Sequence, residues 1–237
     1  MGRSRTGPLL VVPLLVGSCA ALLYSNFILD WVLRGFSGMG EVVSELEAPG
    51  QQNATLLRVT DVVCAVLVVC LLPGVRRRLP RGAWREVVVV GTTVFALGAA
   101  LAAVVTTCGP GDAACGGDGQ QLADMVHEGS SIVSDTALYV GAAAVWLSLR
   151  HREPRWFRRA AAWFVLLGGV GSTLVFAYFH QTQDPVWAVG VSQRVHILAI
   201  SAWILCLGIF AASPVDEPPD PSPTGAGADV PQRLSGP

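Results

Sequence analysis

Six runs of about twenty residues, each nearly free of charge, dominate this chain: 9–29, 56–72, 87–105, 126–149, 160–179 and 189–212. At 1.5 Å per residue, one such run crosses the roughly 30 Å hydrocarbon core of a bilayer as a single helix. In hydrocarbon the backbone must satisfy its own hydrogen bonds. Runs this rich in Ala, Leu, Val and Gly fit helices, not the alternating ten-residue strands of a barrel. The expected fold is all-α, a polytopic six-helix transmembrane bundle. Composition agrees, with 52% hydrophobic and 14% charged residues against about 25% charged in a soluble domain, which excludes a water-soluble globular chain. The formal net charge of −1 leaves no general electrostatic footprint for nucleic acid.

Arginine sets the expected orientation, because the sequence contains no lysine. With the amino terminus in the cytoplasm, thirteen arginines fall inside, in the clusters 76–85 and 150–159 and at residues 3, 5 and 233. Three fall outside: Arg34, Arg58 and Arg194. Such a bias in short loops beside span ends puts both termini in the cytoplasm of a multi-pass plasma membrane protein. Topology alone accounts for Arg76-Arg77-Arg78. The first run follows Arg3 and Arg5 like a signal peptide, but it continues past Cys19 to Leu29, too far for a cleaved signal core. The organisation expected is a short cytoplasmic segment over 1–8, a membrane domain over 9–212 and a disordered cytoplasmic tail over 213–237, rich in Pro, Asp, Gly and Ser.

Of six cysteines, Cys19, Cys64, Cys70 and Cys206 fall within spans, whereas Cys108 and Cys115 share a Gly/Pro-rich outer loop. An oxidising compartment makes a disulfide between these two the expected pairing. In the first outer loop, Val42, Val43 and Leu46 lie at helical spacing before Pro49-Gly50. That pattern predicts a turn or two of helix on the membrane surface, its acids facing water or a cavity mouth. Asn53-Ala54-Thr55 matches a glycosylation sequon beside the second span.

Ionisable groups in a bilayer are costly, about 2.5 to 3.5 kcal/mol each at mid-helix, so their positions carry most of the functional information. Arg58 and Asp61 lie a turn apart and can pair with each other. His127, Ser131, Ser134, Asp135 and Leu138 form a stripe at helical spacing; Asn26 and Asp30 end the first run, His180 closes the fifth, and Gln193, Arg194 and His196 open the sixth. All fall on the outer half, where they are accommodated at least cost around a water-accessible cavity open to the outside.

The plainest function for such a cavity is binding or sensing a lipid headgroup or small solute, with membrane lipid as partner and neither nucleic acid nor cofactor required. An alternative is a zinc ion held by His127, His180 and His196 with Asp61 or Asp135, which resembles intramembrane metal-dependent lipid amidases. No HxxxH or HExxH pair accompanies it, and those enzymes have seven spans. A second alternative is a proton-coupled transporter with Asp135 or Asp61 as carrier and Gly168, Gly169 and Gly171 as a flexible or closely packed segment. A haem site would need a second layer of histidines, which is lacking.

The segment Ser44-Glu45-Leu46-Glu47-Ala48-Pro49-Gly50-Gln51 ahead of Arg58 and Asp61, together with Ser192-Gln193-Arg194, resembles the bacterial integral membrane family of domain of unknown function 998. The resemblance covers about 9–212 and implies a six-helix bacterial membrane protein with no established activity and no catalytic residue to carry over. The all-arginine, Ala/Val/Gly-heavy composition fits a GC-rich, actinobacterial genome.

Overall fold

A computed structural model of the chain describes residues 7–108 and 118–214. Helices α1 (Gly7–Tyr24), α2 (Phe27–Leu33), α3 (Val43–Leu46), α4 (Ala54–Arg78), α5 (Ala83–Val104) and α6 (Asp118–Ser148) are followed by α7 (Arg155–Trp163). A π-helical segment over Phe164–Gly171 joins α7 to α8 (Ser172–Thr182), and α9 (Trp187–Ala212) completes the bundle. No strand occurs among the described residues. The described part of the chain is an all-α polytopic bundle. Cys115, residues 1–6 and the tail from 215 onward lie outside the described residues, and with them the expected disulfide, most of the amino-terminal segment and the expected disorder of the tail.

Five helical rods are long and apolar enough to cross a bilayer: Ala54–Arg78, Ala83–Val104, Gly119–Ser148, Arg155–Thr182 and Trp187–Ala212. A sixth span exists if Val11–Tyr24 and Phe27–Leu33, bent by 53°, count as one broken span. The run expected as one helix over 9–29 is therefore two. The break at Ser25-Asn26 releases polar side chains into the bundle, where Ser25 Oγ donates to Ser201 Oγ at 2.8 Å and Asn26 Nδ2 donates to the Leu57 carbonyl at 3.0 Å. The other helices outrun their apolar segments at one or both ends, because the helix continues into the polar interface while the hydrophobic signal marks only its hydrocarbon part.

Between 28% and 44% of each rod's most apolar window is buried. The remaining apolar surface faces outward, as expected of helices solvated by lipid. Small residues let the helices approach where lipid offers no hydrophobic drive for association. A Cβ on Gly17 of α1 would lie 2.6 Å from the Gly208 Cα of α9, and one on Gly98 of α5 would lie 2.7 Å from the Ser134 Cβ of α6. Near the opposite end from the polar groups, Phe164, Trp203, Phe157 and Phe210 form a stack, with centroid separations of 5.2, 5.2 and 4.1 Å. This stack locks α7 and the π segment onto α9.

The short helix α3 occurs where the sequence places it, but it does not lie on the surface. Val43, Leu46, Glu47 and Ala48 are all buried, so the segment folds inward as a plug against α9. Two partners hold it there. Gln193 Oε1 accepts a hydrogen bond from the Val43 N–H at 2.5 Å. The buried Arg194 guanidinium donates to the carbonyls of Gly38, Met39 and Glu41 at 2.9, 2.7 and 2.6 Å.

Candidate functional site

The α3 plug, the α1–α2 break, the starts of α4, α6 and α9 and the end of α5 enclose a cleft of about 120 Å³. The arginine clusters 76–85 and 150–159 lie at the opposite ends of the same rods. Eight of the polar span residues singled out in the sequence line this cleft: Asn26, Asp61, His127, Ser131, Ser134, Asp135, Gln193 and His196. Tyr24, Ser44 and Glu47 line it as well.

Its first wall is a pair of carboxyl groups. Asp61 of α4 accepts from Asn26 Nδ2 at 2.7 Å, and the buried Glu47 carboxyl lines the same cleft beside it. Burial holds the Glu47 carboxyl above the usual carboxylate range, with its neighbours Asp61, His127 and Arg58 pulling it the other way. Arg58 does not pair with Asp61 as the sequence spacing allowed. It turns back along its own helix toward the Ala54 carbonyl and Thr55 Oγ1, both at 3.4 Å, because Asp61 faces the bundle interior.

The second wall is built on α6 and α9. Asp135 Oδ2 lies 2.9 Å from His196 Nε2, and Ser172 Oγ lies 2.8 Å from His196 Nδ1. The Gly168 carbonyl in the π segment accepts from Tyr139 Oη at 2.9 Å and from Ser172 Oγ. The His196 ring is thereby held from both sides, with Ser172 at Nδ1 and Asp135 at Nε2, and Tyr139 Oη lies 3.3 Å from Nε2 as well. Hydroxyl, imidazole and carboxylate follow the order of a hydrolase triad, but the burial is reversed. Ser172 is the enclosed end, 8% exposed, whereas the Asp135 side chain is 27% exposed. The arrangement presents a carboxylate, not a nucleophile.

His127 is fixed differently. Its Nδ1 lies 2.9 and 2.8 Å from the carbonyls of Ala102 and Val105 at the end of α5, so Nδ1 carries the proton. His180 is exposed on α8, its ring 5.6 Å from Phe176; it lines an adjoining vestibule of about 490 Å³ with His127 but not with His196. The three imidazoles proposed for zinc thus do not share one pocket. Among the described residues no group of three His, Cys, Asp or Glu side chains could hold a metal ion.

Asp30 and Arg194, also candidates, do not line the cleft. Asp30 accepts from Arg34 Nε at 2.9 Å and from Asn53 Nδ2 at 2.7 Å, which also turns the sequon asparagine inward. Arg194 is spent on the plug. Glu47, one of the acids that the sequence placed facing water or a cavity mouth, lines the cleft and is buried in it.

Ser131 and Gln193 line three connected spaces: the cleft, the vestibule and an apolar groove of about 610 Å³. Among the described residues, the linings of the three include Glu45, Glu47, Asp61, Asp124, Glu128 and Asp135 and no arginine, Arg58 reaching Glu47 only through its charge. The system is strongly acidic.

No curated protein and no solved structure matches the chain. A family model described as "Protein of unknown function (DUF998)" matches residues 18–209, from within α1 to near the end of α9, so the match takes in every wall of the cleft. The chain is an integral membrane protein belonging to the DUF998 family.

Proposed function

We propose that this protein binds a small cationic group, either a free solute or the ammonium of a lipid headgroup, in the acidic cleft. The observation that carries the reading is the set of six carboxyl groups around the connected spaces with no arginine among the described lining residues. In a low-dielectric surrounding such a set is expensive unless it is protonated or met by positive charge. The positive-inside distribution of arginine supports a plasma membrane orientation with the cleft toward the outer leaflet.

The test is binding of ethanolammonium and of inorganic phosphate to the protein in nanodiscs, read by calorimetry. Ethanolammonium should bind and phosphate should not, and Asp135→Asn should weaken the amine by about tenfold, the loss of one charge-assisted contact. Phosphate binding equal to that of the amine, or an unchanged affinity in Asp135→Asn, discards the proposal.

The neighbouring Glu47 and Asp61 carboxyls in one small cleft favour one further reading, in which the bound cation exchanges with a proton on this pair. Proteoliposomes under a pH gradient should then accumulate ethylammonium in a manner lost in Asp61→Asn. Absence of uptake by the wild-type protein removes this reading and leaves the binding function intact.

A further inference from the structure

Resting on that binding function, we infer that the ligand is an amphiphile: its small cationic head occupies the cleft and its hydrocarbon chain leaves sideways along the groove between α6 and the π–α8 rod. The cleft, at about 120 Å³, accommodates a head of a few heavy atoms and no chain. The groove beside it is about five times larger, at about 610 Å³, and its walls are Ile132, Val140 and Ala143 on one side and Val165, Val170 and Leu174 on the other. These two spaces have one wall in common. Asp135 and His196, together with Ser131 and Gln193, line both.

A groove on a membrane helix is ordinarily filled by bulk lipid, and that alone would say nothing. Here the polar end of the groove is the open end of the Asp135–His196–Ser172 array. Ile132, Val140, Val170 and Leu174 are all exposed on the bundle surface, so the groove opens toward the hydrocarbon, and the Asp135 carboxylate looks into it from one end. A partly exposed carboxylate at the end of an apolar furrow is an unfavourable pairing of surfaces for either water or an alkane alone. One molecule with an ammonium at one end and a chain at the other satisfies both.

The π segment produces this juxtaposition. The Gly168 carbonyl accepts from both Tyr139 and Ser172, which hold the imidazole against Asp135. Gly169 keeps the groove open beside Tyr139, since a Cβ there would come within 3.1 Å of the Tyr139 ring. A single backbone irregularity thus both orients the polar end and shapes the chain's path.

The experiment compares ethylammonium and dodecylammonium binding to the protein in nanodiscs, with dodecylammonium expressed as its mole fraction in the bilayer so that simple partitioning is removed. Val140→Trp and Leu174→Trp fill the groove from opposite walls at exposed positions, and dodecyl sulfate controls for the chain without the cationic head. Both variants should weaken dodecylammonium by about tenfold or more and leave ethylammonium within about twofold, while Asp135→Asn weakens both and dodecyl sulfate fails to compete. Unchanged dodecylammonium binding in both groove variants overturns the chain path. So does effective competition by dodecyl sulfate, or a change of oligomeric state in the groove variants, which would make the occupant a second copy of the chain. In each of these cases ethylammonium binding by the wild-type protein still upholds the cleft; if ethylammonium does not bind, the proposed function falls, and this inference with it.

Discussion

Asp135 on α6 and His196 on α9, 61 residues apart in sequence, meet at 2.9 Å, joining the two helices through a carboxylate that also faces open space. The ring's other nitrogen is held by Ser172 at 2.8 Å. Ser172→Ala should therefore free the imidazole to rotate and cost about 1 kcal/mol of stability for the lost hydrogen bond. The ¹⁵N shifts of His196 report the change directly: averaging of the two ring nitrogens is expected in the variant, and distinct, fixed signals in the wild type. Identical spectra would show that Ser172 does not position the ring.

Glu47 links stability to pH. Its carboxyl is held above the ordinary value of 4.5, chiefly by burial, so between that value and its raised one the folded chain keeps a proton the unfolded chain has lost. Stability from this group is greatest below pH 4.5 and falls as pH rises through the window. Glu47→Gln removes the titration. Thermal unfolding followed by tryptophan fluorescence should show a shallower decline toward neutral pH in the variant than in the wild type; equal slopes would count against the buried, protonatable Glu47.

Arg194 holds the plug by three carbonyls. Arg194→Ala strands these acceptors, at about 1 to 3 kcal/mol for each buried group left unsatisfied. Because water can reach part of the vacated space, a total near 3 kcal/mol is expected. Limited proteolysis between α2 and α4 should accelerate in the variant, and Arg194→Lys should recover little of the loss because an ammonium cannot span the fork.

Cys19, Cys64, Cys70 and Cys206 carry free thiols. If Cys108 and Cys115 form the bridge that their outer loop favours, alkylation of the denatured, unreduced protein adds four labels, and prior reduction raises this to six, the full cysteine count. Six labels without reductant would remove the disulfide.

Orientation is open to a direct check at two exposed positions. In a background lacking the native cysteines, Ser37→Cys should react with an impermeant maleimide on intact cells, and Arg152→Cys only after permeabilisation. The reverse pattern would turn the cleft toward the cytoplasm.

The rods were legible because hydrocarbon imposes a minimum length on every apolar run, and the stripe from His127 to Asp135 was legible because its residues repeat at the helical period. Asn26, Asp61, His127, Asp135 and His196 were recognisable one by one as polar groups in apolar surroundings. Their partners were not. Asp61 could be matched with Arg58 by helical spacing, but that spacing fixes neighbours along one helix, whereas Asn26 and Glu47 come beside it from other segments. Glu47 was not singled out among the acids read as facing water or a cavity mouth, because a glutamate in a loop before Pro-Gly has no helical period to fix which side it takes. Its one local signal was its place beside Leu46 and Ala48, both fully enclosed. The break at Ser25-Asn26 was hidden for the opposite reason: apolar residues continue on both sides of it.

The π segment carries one surplus residue's worth of winding into the rod that ends at Thr182. Excising a single residue between Phe164 and Gly171 would let the rod relax to regular pitch, and everything downstream would then turn by about 100° about its axis. Ser172 would swing off the His196 ring while the rod stayed long enough to cross the bilayer. The segment therefore acts as a phase setting: it leaves the helix's span unaltered and decides which of its faces meets the polar interior.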